Sequence, residues 1–113
     1  MTKIKIFKKN DIYIGFECFG HSGYAEFGKD IVCASISSIV QSCALGLLKV
    51  LKIKVSIQRE DKKGYIKVEL PSNLEKNILD KSQILIETMK VSIEDLLDGY
   101  SKYISMEVIE NVY

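Results

Sequence analysis

Residues 2–19 read TKIKIFKKNDIYIGFECF, and side chains alternate along this stretch on both sides of a short polar interruption. Lysine and isoleucine alternate up to Phe7, which is typical of a β-strand, and residues 9–11 have the composition of a turn. Beyond the turn the alternation resumes and places Tyr13 opposite a set of inward residues: Ile12, Ile14, Phe16 and Cys18. The segment therefore predicts two strands joined as a β-hairpin.

From residue 30 onwards, apolar residues recur at intervals of three and four, which predicts a helix with a buried stripe. Asp30 is a suitable N-cap, because its carboxylate can accept a hydrogen bond from an amide of the first turn. The stripe runs through Val32, Ile36, Ile39, Val40, Cys43, Leu47 and Val50. This helix is unusually apolar and should therefore be well buried.

A second hairpin is predicted after this helix. Residues 52–60 alternate, with three side chains expected to point inward: Ile53, Val55 and Ile57. Residues 61–64, Asp-Lys-Lys-Gly, have the composition of a hairpin turn, and alternation resumes from Tyr65 to Leu70. Pro71 then ends the strand.

The rest of the chain predicts a long helix over residues 75–100 and a short last strand over residues 104–108. One face of the long helix is marked by Ile78, Leu85, Met89, Leu96 and Tyr100. Ile84 and Val91 lie off that face, and we interpret them either as ordinary surface residues or as part of a subunit contact.

The predicted order of elements is β-β-α-β-β-α-β. It favours an α+β fold in which two helices pack on one face of a largely antiparallel sheet. A chain of 113 residues with 47% hydrophobic and 27% charged residues is expected to form one domain over residues 1–113. The balance of 16 basic against 15 acidic side chains argues against a nucleic-acid-binding protein, which normally carries a basic excess.

The sequence favours a cytoplasmic protein without a metal, a cofactor or a membrane association. The N-terminal residues lack the apolar core of a signal peptide, and no uninterrupted apolar run approaches the ~18 residues of a membrane span. Three cysteines are an odd number and are most simply explained as reduced thiols. No Cys-x-x-Cys or Cys/His spacing suggests a zinc site.

The single histidine, His21, lies in a glycine-rich loop, and Cys33 follows in the first turn of the predicted helix. The free amides and the dipole of a helix start favour a thiolate there. A thiolate is the nucleophile of acyl transfer, and a nearby imidazole can accept its proton and return it to the leaving amine. Backbone amides of the same helix start could hold the developing oxyanion. This arrangement predicts a nucleophile and its base within one short segment.

Each of these residues also has a plainer interpretation. Cysteine is among the most buried residue types, so Cys33 can be a core residue, and His21 can be an ordinary loop residue. Asp30 can act as a cap alone rather than as a catalytic acid. Ser37, one turn after Cys33, can bond its own backbone rather than the thiol or a bound peptide.

The three cysteines differ in the faces on which they are predicted to lie. Cys18 falls on the inward face of the second strand and Cys43 on the core stripe of the first helix, so both are interpreted as structural. The helix neighbours of Cys33 form a more polar set: Ser37, Gln41 and Ala44. Cys33 is therefore the candidate nucleophile.

Residues 20–22 read GHS and residues 28–37 read GKDIVCASIS. This segment resembles the signature of the ribosomal-processing cysteine proteases, the Prp family: a Gly-His pair, a short loop, and Gly-x-Asp-Ile-Val-Cys followed by small residues and a serine. Ser22 stands where the family often has alanine, a small-for-small difference. The resemblance in length and element order extends over nearly the whole chain.

The resemblance implies a cysteine endopeptidase that removes the N-terminal extension of large-subunit ribosomal protein number twenty-seven. In the family, cleavage follows a segment with adjacent aromatic residues and precedes a small residue. Cys33 would be the nucleophile and His21 its base, while Asp30 and Ser37 match motif positions with supporting roles. The family also implies a homodimer and a mobile substrate-binding loop: Ser22, Gly23, Tyr24, Phe27 and Gly28. In this loop Tyr24 and Phe27 are the candidates for contact with the aromatic residues of the substrate.

Two other functions stay open at this stage. A non-catalytic, ribosome-associated binding module would use exposed lysines, although such charges usually form a solvated face: Lys3, Lys5, Lys8, Lys9, Lys62 and Lys63. A redox-sensing thiol is the other, but it lacks an evident resolving cysteine nearby in the sequence. Fast alkylation of Cys33 with slow alkylation of Cys18 and Cys43 would distinguish the protease from the binding module.

Overall fold

The computed structural model describes residues 1–21, 23, 25–26 and 30–110. Its helices are α1 (Ile31–Leu45) and α2 (Lys76–Tyr100), and its strands are β1 (Thr2–Lys9), β2 (Ile12–Phe19), β3 (Ser56–Glu60), β4 (Tyr65–Glu69) and β5 (Ile104–Glu110). A π-helical turn at Gly46–Val50 extends α1, and a short 3₁₀ turn at Asp61–Lys63 joins β3 to β4. The predicted order of strands and helices is confirmed.

The five strands form one sheet in the order β3-β4-β2-β1-β5. Neighbouring strands are antiparallel except β1 and β5, which pair in parallel. Both helices pack on one face of this sheet, as predicted for the α+β class. The core between the two layers joins alternate strand residues to the helix stripes, and includes Ile4, Ile6, Phe16, Val68, Val32, Ile36, Ile86 and Ile93.

A bulge in the first hairpin changes the face of one predicted residue. The register of β1 and β2 shifts between Phe7 and Lys8, and Ile14 is the extra residue on β2. Tyr13 therefore turns towards the helices, where it is 9% exposed and its hydroxyl donates a hydrogen bond to Glu87 of α2. The prediction that Tyr13 faces away from the core side of β2 is wrong.

Helix α1 begins after Asp30, as predicted, and most of its predicted stripe is buried: Val32, Ile36, Val40, Cys43 and Leu47. Val50 does not follow this pattern, because its side chain is 75% exposed. The reason is the π-helical turn, in which the Leu51 amide donates to the Gly46 carbonyl at 2.9 Å. One extra residue per turn rotates Val50 away from the core, so its place in the stripe was wrong.

The helical stretch Ile31–Val50 is long and apolar enough to cross a membrane, judged by length and composition alone. The core helix of a globular protein meets the same criteria. The stretch also contributes Val32, Ile36 and Val40 to the hydrophobic core. It is therefore weak evidence for a membrane span.

Strand β3 is shorter and more exposed than predicted. Lys52 has a positive φ of 55°, which interrupts the extended backbone that the alternation predicts from residue 52. Ile53 is buried and Val55 half-buried, but Ile57 is 37% exposed. Ile57 lies opposite Val68 and so faces the helix side of the sheet, yet β3 is an edge strand that α1 leaves uncovered. This uncovered edge forms one wall of the cleft described below.

Helix α2 spans almost the predicted residues, and its buried face is centred on Ser82, Ile86, Met89 and Ile93. Except for Met89, the residues predicted to mark this face are only partly buried at its borders: Ile78, Leu85, Leu96 and Tyr100. Ile84 and Val91 lie off this face and are 66% and 54% exposed. Their predicted position outside the core is confirmed, while a role in a subunit contact stays a prediction.

Candidate active site

His21 follows the end of β2 and lies against the turn between β3 and β4. The amide of Gly20 donates a hydrogen bond to the Lys63 carbonyl at 3.2 Å, which ties the end of β2 to that turn. Beyond this bond, the His21 ring is exposed and its Nε2 lies 3.5 Å from the carbonyl oxygen of Lys62. The ring is therefore positioned between the turn and the start of α1.

Cys33 lies in the first turn of α1, where the N-cap fixes its backbone. Oδ1 of Asp30 accepts a hydrogen bond from the Cys33 amide at 2.9 Å, so the predicted cap is confirmed. The second carboxylate oxygen, Oδ2, accepts from the Ala25 amide at 3.5 Å. Asp30 thus connects the loop to the helix start while its side chain is almost fully buried.

The His21 ring and the Cys33 thiol lie side by side. Nδ1 of His21 is 3.7 Å from Sγ of Cys33. Catalytic hydrogen bonds are often long in unliganded enzymes and shorten when substrate binds. This geometry allows a proton to move from the thiol to the imidazole after only a small movement of the side chains.

The cap engages two of the amides that the helix start was expected to offer to an oxyanion. The Cys33 amide donates to the Asp30 carboxylate, and the Ala34 amide donates to the Asp30 carbonyl at 3.0 Å. Among the helix-start amides, the expected oxyanion donors are therefore restricted to those of Ile31 and Val32, which precede the capped residue.

Ser37 lies one turn along α1 and borders the cleft. Within the described chain, its Oγ accepts a hydrogen bond from Nε2 of Gln41 at 2.7 Å, rather than bonding the Cys33 thiol or its own backbone. Gln41 was predicted only as part of the polar face around Cys33, and it is therefore also a contact of Ser37. Its spacing of four residues from Ser37 indicates this contact, because residues i and i+4 are neighbours on one face of a helix.

The other two cysteines have a different environment from Cys33. Burial raises the pKa of Cys18 and of Cys43 to about 12, and the nearby charge of Cys33 further raises that of Cys18. Cys43 also donates its Sγ–H to the Leu85 carbonyl at 3.6 Å. Both groups stay protonated at neutral pH, whereas Cys33 is only half-buried. Their structural interpretation agrees with these surroundings.

Two clefts meet at His21 and Cys33. The first, of about 280 Å³, lies between α1 and the β3–β4 hairpin, and the residues that line it include four apolar side chains: Cys18, Ile36, Val40 and Ile66. The second, of about 380 Å³, lies on the loop side of α1 and is lined by Ala25 and Ala34. Ser37 also borders both clefts. A peptide crossing the thiol would therefore find one cleft on each side.

Arg59 and Asp61 also line the first cleft, although no role in the site was predicted for them. Nη2 of Arg59 is 3.1 Å from Oδ1 of Asp61, in an exposed ion pair. Arg59 lies opposite Ile66 and therefore faces the helix side of the sheet. The signal was the two-residue alternation itself, since Arg59 follows Ile57 at that spacing.

The predicted substrate-binding loop is described only in part. Gly23 is exposed and has a φ of 76°, while Ser22, Tyr24, Phe27 and Gly28 lie outside the described residues. Across residues 1–21, 23, 25–26 and 30–110, no group of three or more His, Cys, Asp or Glu side chains could hold a metal ion.

The sequence model of the family described as Cysteine protease Prp matches residues 1–105 of this chain. This chain belongs to that family. It is therefore a cysteine endopeptidase, and the resemblance identified from the Gly-His and Asp-Ile-Val-Cys motifs is confirmed. A non-catalytic binding module is not the function that membership of a protease family indicates.

Named relatives of the family are similar to most of the chain. The ribosomal processing cysteine protease Prp of Bacillus subtilis is 31% identical over 87 residues, which cover 77% of this chain and 78% of that protein. The protein of the same name from Staphylococcus aureus is 25% identical over 87 residues, with the same coverage of 77% and 78%.

Solved structures share the fold over nearly the full chain. A Streptococcus mutans crystal structure has a TM-score of 0.83 and 26% identity, and covers 98% of this chain and 96% of its own. The S. aureus ribosomal processing protease Prp, solved with a covalently linked product peptide, has a TM-score of 0.84 and 20% identity over 96% of this chain and 99% of its own. At that identity the second likeness shows the fold alone.

Proposed function

We propose that this protease removes the N-terminal extension of large-subunit ribosomal protein number twenty-seven in the cytoplasm. Cys33 acts as the nucleophile and His21 as the general base and acid. The observation that carries the proposal is the 3.7 Å separation of Sγ and Nδ1 where the two clefts meet. The relatives named as ribosomal processing proteases support a ribosomal protein as the substrate.

Acylation begins when Sγ of Cys33 passes its proton to Nδ1 of His21. The thiolate attacks the carbonyl carbon of the scissile bond, and the carbonyl oxygen becomes an oxyanion in a tetrahedral intermediate. As the intermediate collapses, the C–N bond breaks and His21 returns the proton to the leaving amine. This amine is the new N-terminus of the ribosomal protein, and the extension stays on Cys33 as a thioester.

Deacylation repeats these steps with water. His21 removes a proton from a water molecule, whose oxygen attacks the thioester carbonyl. The second tetrahedral intermediate expels the Cys33 thiolate, which recovers its proton from His21. The extension leaves with a new carboxyl terminus, and the resting thiol and imidazole are restored.

The two clefts suit the two sides of the scissile bond. The aromatic residues before the cleavage site have rings that gain much from burial. They are suited to the first cleft, whose apolar side chains are Cys18, Ile36, Val40 and Ile66. The second cleft, lined by Ala25 and Ala34, is suited to the small residue after it. Asp30 supports the site by holding the amide of Cys33, and Ser37 borders the path of the peptide between the clefts.

The decisive test compares two cysteine variants on a peptide that spans the extension and the cleavage site. We expect Cys33→Ala to lower kcat/KM by about 10⁴-fold or more, because it removes the nucleophile. Cys43→Ala is the matched control on the same helix and should stay within about two-fold of the wild type. Normal cleavage by a folded Cys33→Ala variant would contradict the mechanism.

The base and the substrate are tested separately. His21→Ala should lower kcat by about 10²- to 10⁴-fold, the range for loss of a general base. A different outcome is a wild type that uses Cys33 to cleave other aromatic-containing peptides and leaves the extension intact. In that case the mechanism stands and the substrate assignment fails. The proposal also includes the homodimer implied by the family, which sedimentation of the purified chain measures directly.

A further inference from the structure

Among the described residues, the turn between β3 and β4 lies against the side of the His21 ring that faces away from Cys33. The carbonyl oxygen of Lys62 lies 3.5 Å from Nε2, while Nδ1 faces Cys33 at 3.7 Å. One ring nitrogen therefore faces an acceptor of the main chain, and the other faces the thiol. These two contacts influence which ring nitrogen carries the proton as well as how the ring is oriented.

A neutral imidazole carries one N–H, and its other nitrogen is an acceptor. A main-chain carbonyl can only accept, so the Lys62 carbonyl favours the tautomer with its proton on Nε2. Nδ1 is then unprotonated and can receive the proton of Cys33. After that transfer the Nε2–H still points to the Lys62 carbonyl, which stabilises the imidazolium during the attack.

The turn is held in position by bonds on several sides. The Gly64 amide donates to the Asp61 carbonyl at 3.0 Å, and the Gly20 amide donates to the Lys63 carbonyl at 3.2 Å. An ion pair between Lys63 and Glu60, 3.7 Å long, spans the same turn, but it is exposed and contributes little. The backbone bonds therefore fix the Lys62 carbonyl relative to the strand end that carries His21.

The contact between the turn and the His21 ring requires a glycine at position 64. Its φ of 59° lies in the left-handed region that glycine adopts without cost. A Cβ at this position would lie 2.8 Å from the Gly20 carbonyl oxygen and 3.2 Å from Cε1 of His21. Any side chain here would therefore push the strand end and the imidazole away from their present positions.

We infer that the β3–β4 turn is the positioning element of the catalytic histidine, with the Lys62 carbonyl orienting His21 and Gly64 leaving room for its ring. The inference rests on the proposed roles of His21 and Cys33. Neither Lys62 nor Gly64 touches the reacting atoms, so both act through His21. The Lys62 carbonyl would then orient the base, as the third side chain of a catalytic triad does in other hydrolases.

The first test is Gly64→Asn, because asparagine tolerates a left-handed backbone better than other residues with a Cβ. The variant keeps the turn conformation but places a Cβ against the ring. We expect kcat on the extension peptide to fall by about 100-fold, since a displacement of about 1 Å can cost that much. The pH dependence of kcat should change shape as well, which a loss of stability alone would not produce.

Asn10→Ala is the matched control. Asn10 also has a positive φ, 53°, but it lies in the β1–β2 turn at the opposite end of β2 from His21. The control should lose stability through backbone strain and keep the wild-type kcat and pH profile. Wild-type kcat and pH profile in a folded Gly64→Asn variant would overturn the inference.

A second experiment alters the acceptor without adding atoms near the ring. Chemical ligation can replace the amide between Lys62 and Lys63 by an ester, whose carbonyl is a weaker acceptor. We expect kcat to fall by up to about five-fold, the equivalent of losing one typical hydrogen bond, together with a shift in the ring ¹⁵N signals of the single histidine. Unchanged kcat and ¹⁵N signals in the ester protein would also overturn the inference. Cys33→Ala in the same assay separates this inference from the proposed mechanism. If Cys33→Ala abolishes cleavage while the ester protein is unchanged, the inference about the turn fails and the proposed mechanism stands.

Discussion

The first and the last turn of α1 each carry a cysteine, Cys33 and Cys43. Around Cys33 the amide is held by a cap, the thiol faces an imidazole and two clefts open to solvent. Around Cys43 the thiol is enclosed by the core and donates to a carbonyl of α2. The same side chain on the same helix therefore has different chemistry because of its neighbours and its exposure. The predictions below act on this difference, from the largest effect to the smallest.

The largest difference is expected in alkylation at pH 7.5. A thiol with a pKa of about 12, as for Cys18 and Cys43, is ionised to only about one part in 10⁴ or less at this pH, and the thiolate is the reactive form. Iodoacetamide should therefore label Cys33 about 10³-fold faster, as measured by peptide mass spectrometry. In concentrated urea all three cysteines should react alike, and equal rates in the native protein would erase the distinction between the two regions.

A smaller effect is expected in the stability of the fold at alkaline pH. In the unfolded chain the thiols of Cys18 and Cys43 lose their protons near pH 8.5, whereas in the folded protein they keep them until about pH 12. The unfolded state therefore binds fewer protons above pH 8.5, and the free energy of unfolding falls as pH rises. Each buried thiol should contribute up to about 1.4 kcal/mol per pH unit to this fall.

Urea unfolding of the wild type and of Cys43→Ala between pH 9 and 10 measures that slope. The variant should lose the contribution of one thiol. Tyr13 adds a slope of its own only near and above pH 10, because its hydroxyl ionises near pH 10 in the unfolded chain. In the folded protein, burial and its bond to Glu87 raise its pKa to about 12. Identical slopes for the two proteins would show that Cys43 ionises in the folded state as it does in the unfolded one.

The smallest effect concerns the cap that distinguishes the first turn of α1 from its last turn. Asp30→Ala removes the acceptor for the Cys33 amide and should lower the free energy of unfolding by about 1 kcal/mol. Asp30→Asn keeps an acceptor oxygen and should retain most of that stability together with most of the activity. If a folded Asp30→Asn variant were as inactive as Cys33→Ala, the carboxylate would have a chemical role beyond the cap.

Much of the fold follows from short-range patterns in the sequence. The alternation in residues 2–19 and 65–70 and the stripe from Val32 to Leu47 depend only on which face of a strand or helix is buried. Three errors come from single irregularities that such patterns do not reveal. The bulge at Ile14 turns Tyr13 inward, the π-helical turn rotates Val50 outward, and the uncovered edge of the sheet exposes Ile57.

The site divides in the same way. His21, Asp30 and Cys33 lie within one segment, and their residue types and local elements indicate the chemistry before any tertiary contact is known. The contact of Nε2 with the Lys62 carbonyl joins positions 41 residues apart and involves only main-chain atoms of the turn. No residue type indicates such a carbonyl, and the glycine that leaves room for the ring resembles any glycine of a hairpin turn.

Under the proposed function, the uncovered edge of the sheet would connect substrate binding with the packing of the core. Ile57 and Ile66 face the helix side of β3 and β4, where α1 leaves part of the inner layer open to water. A substrate with aromatic side chains would complete this unfinished layer when it binds. The cleavage sequence would then be selected by the same hydrophobic packing that folds the chain. Release of the product would expose this part of the sheet to water again after each turnover.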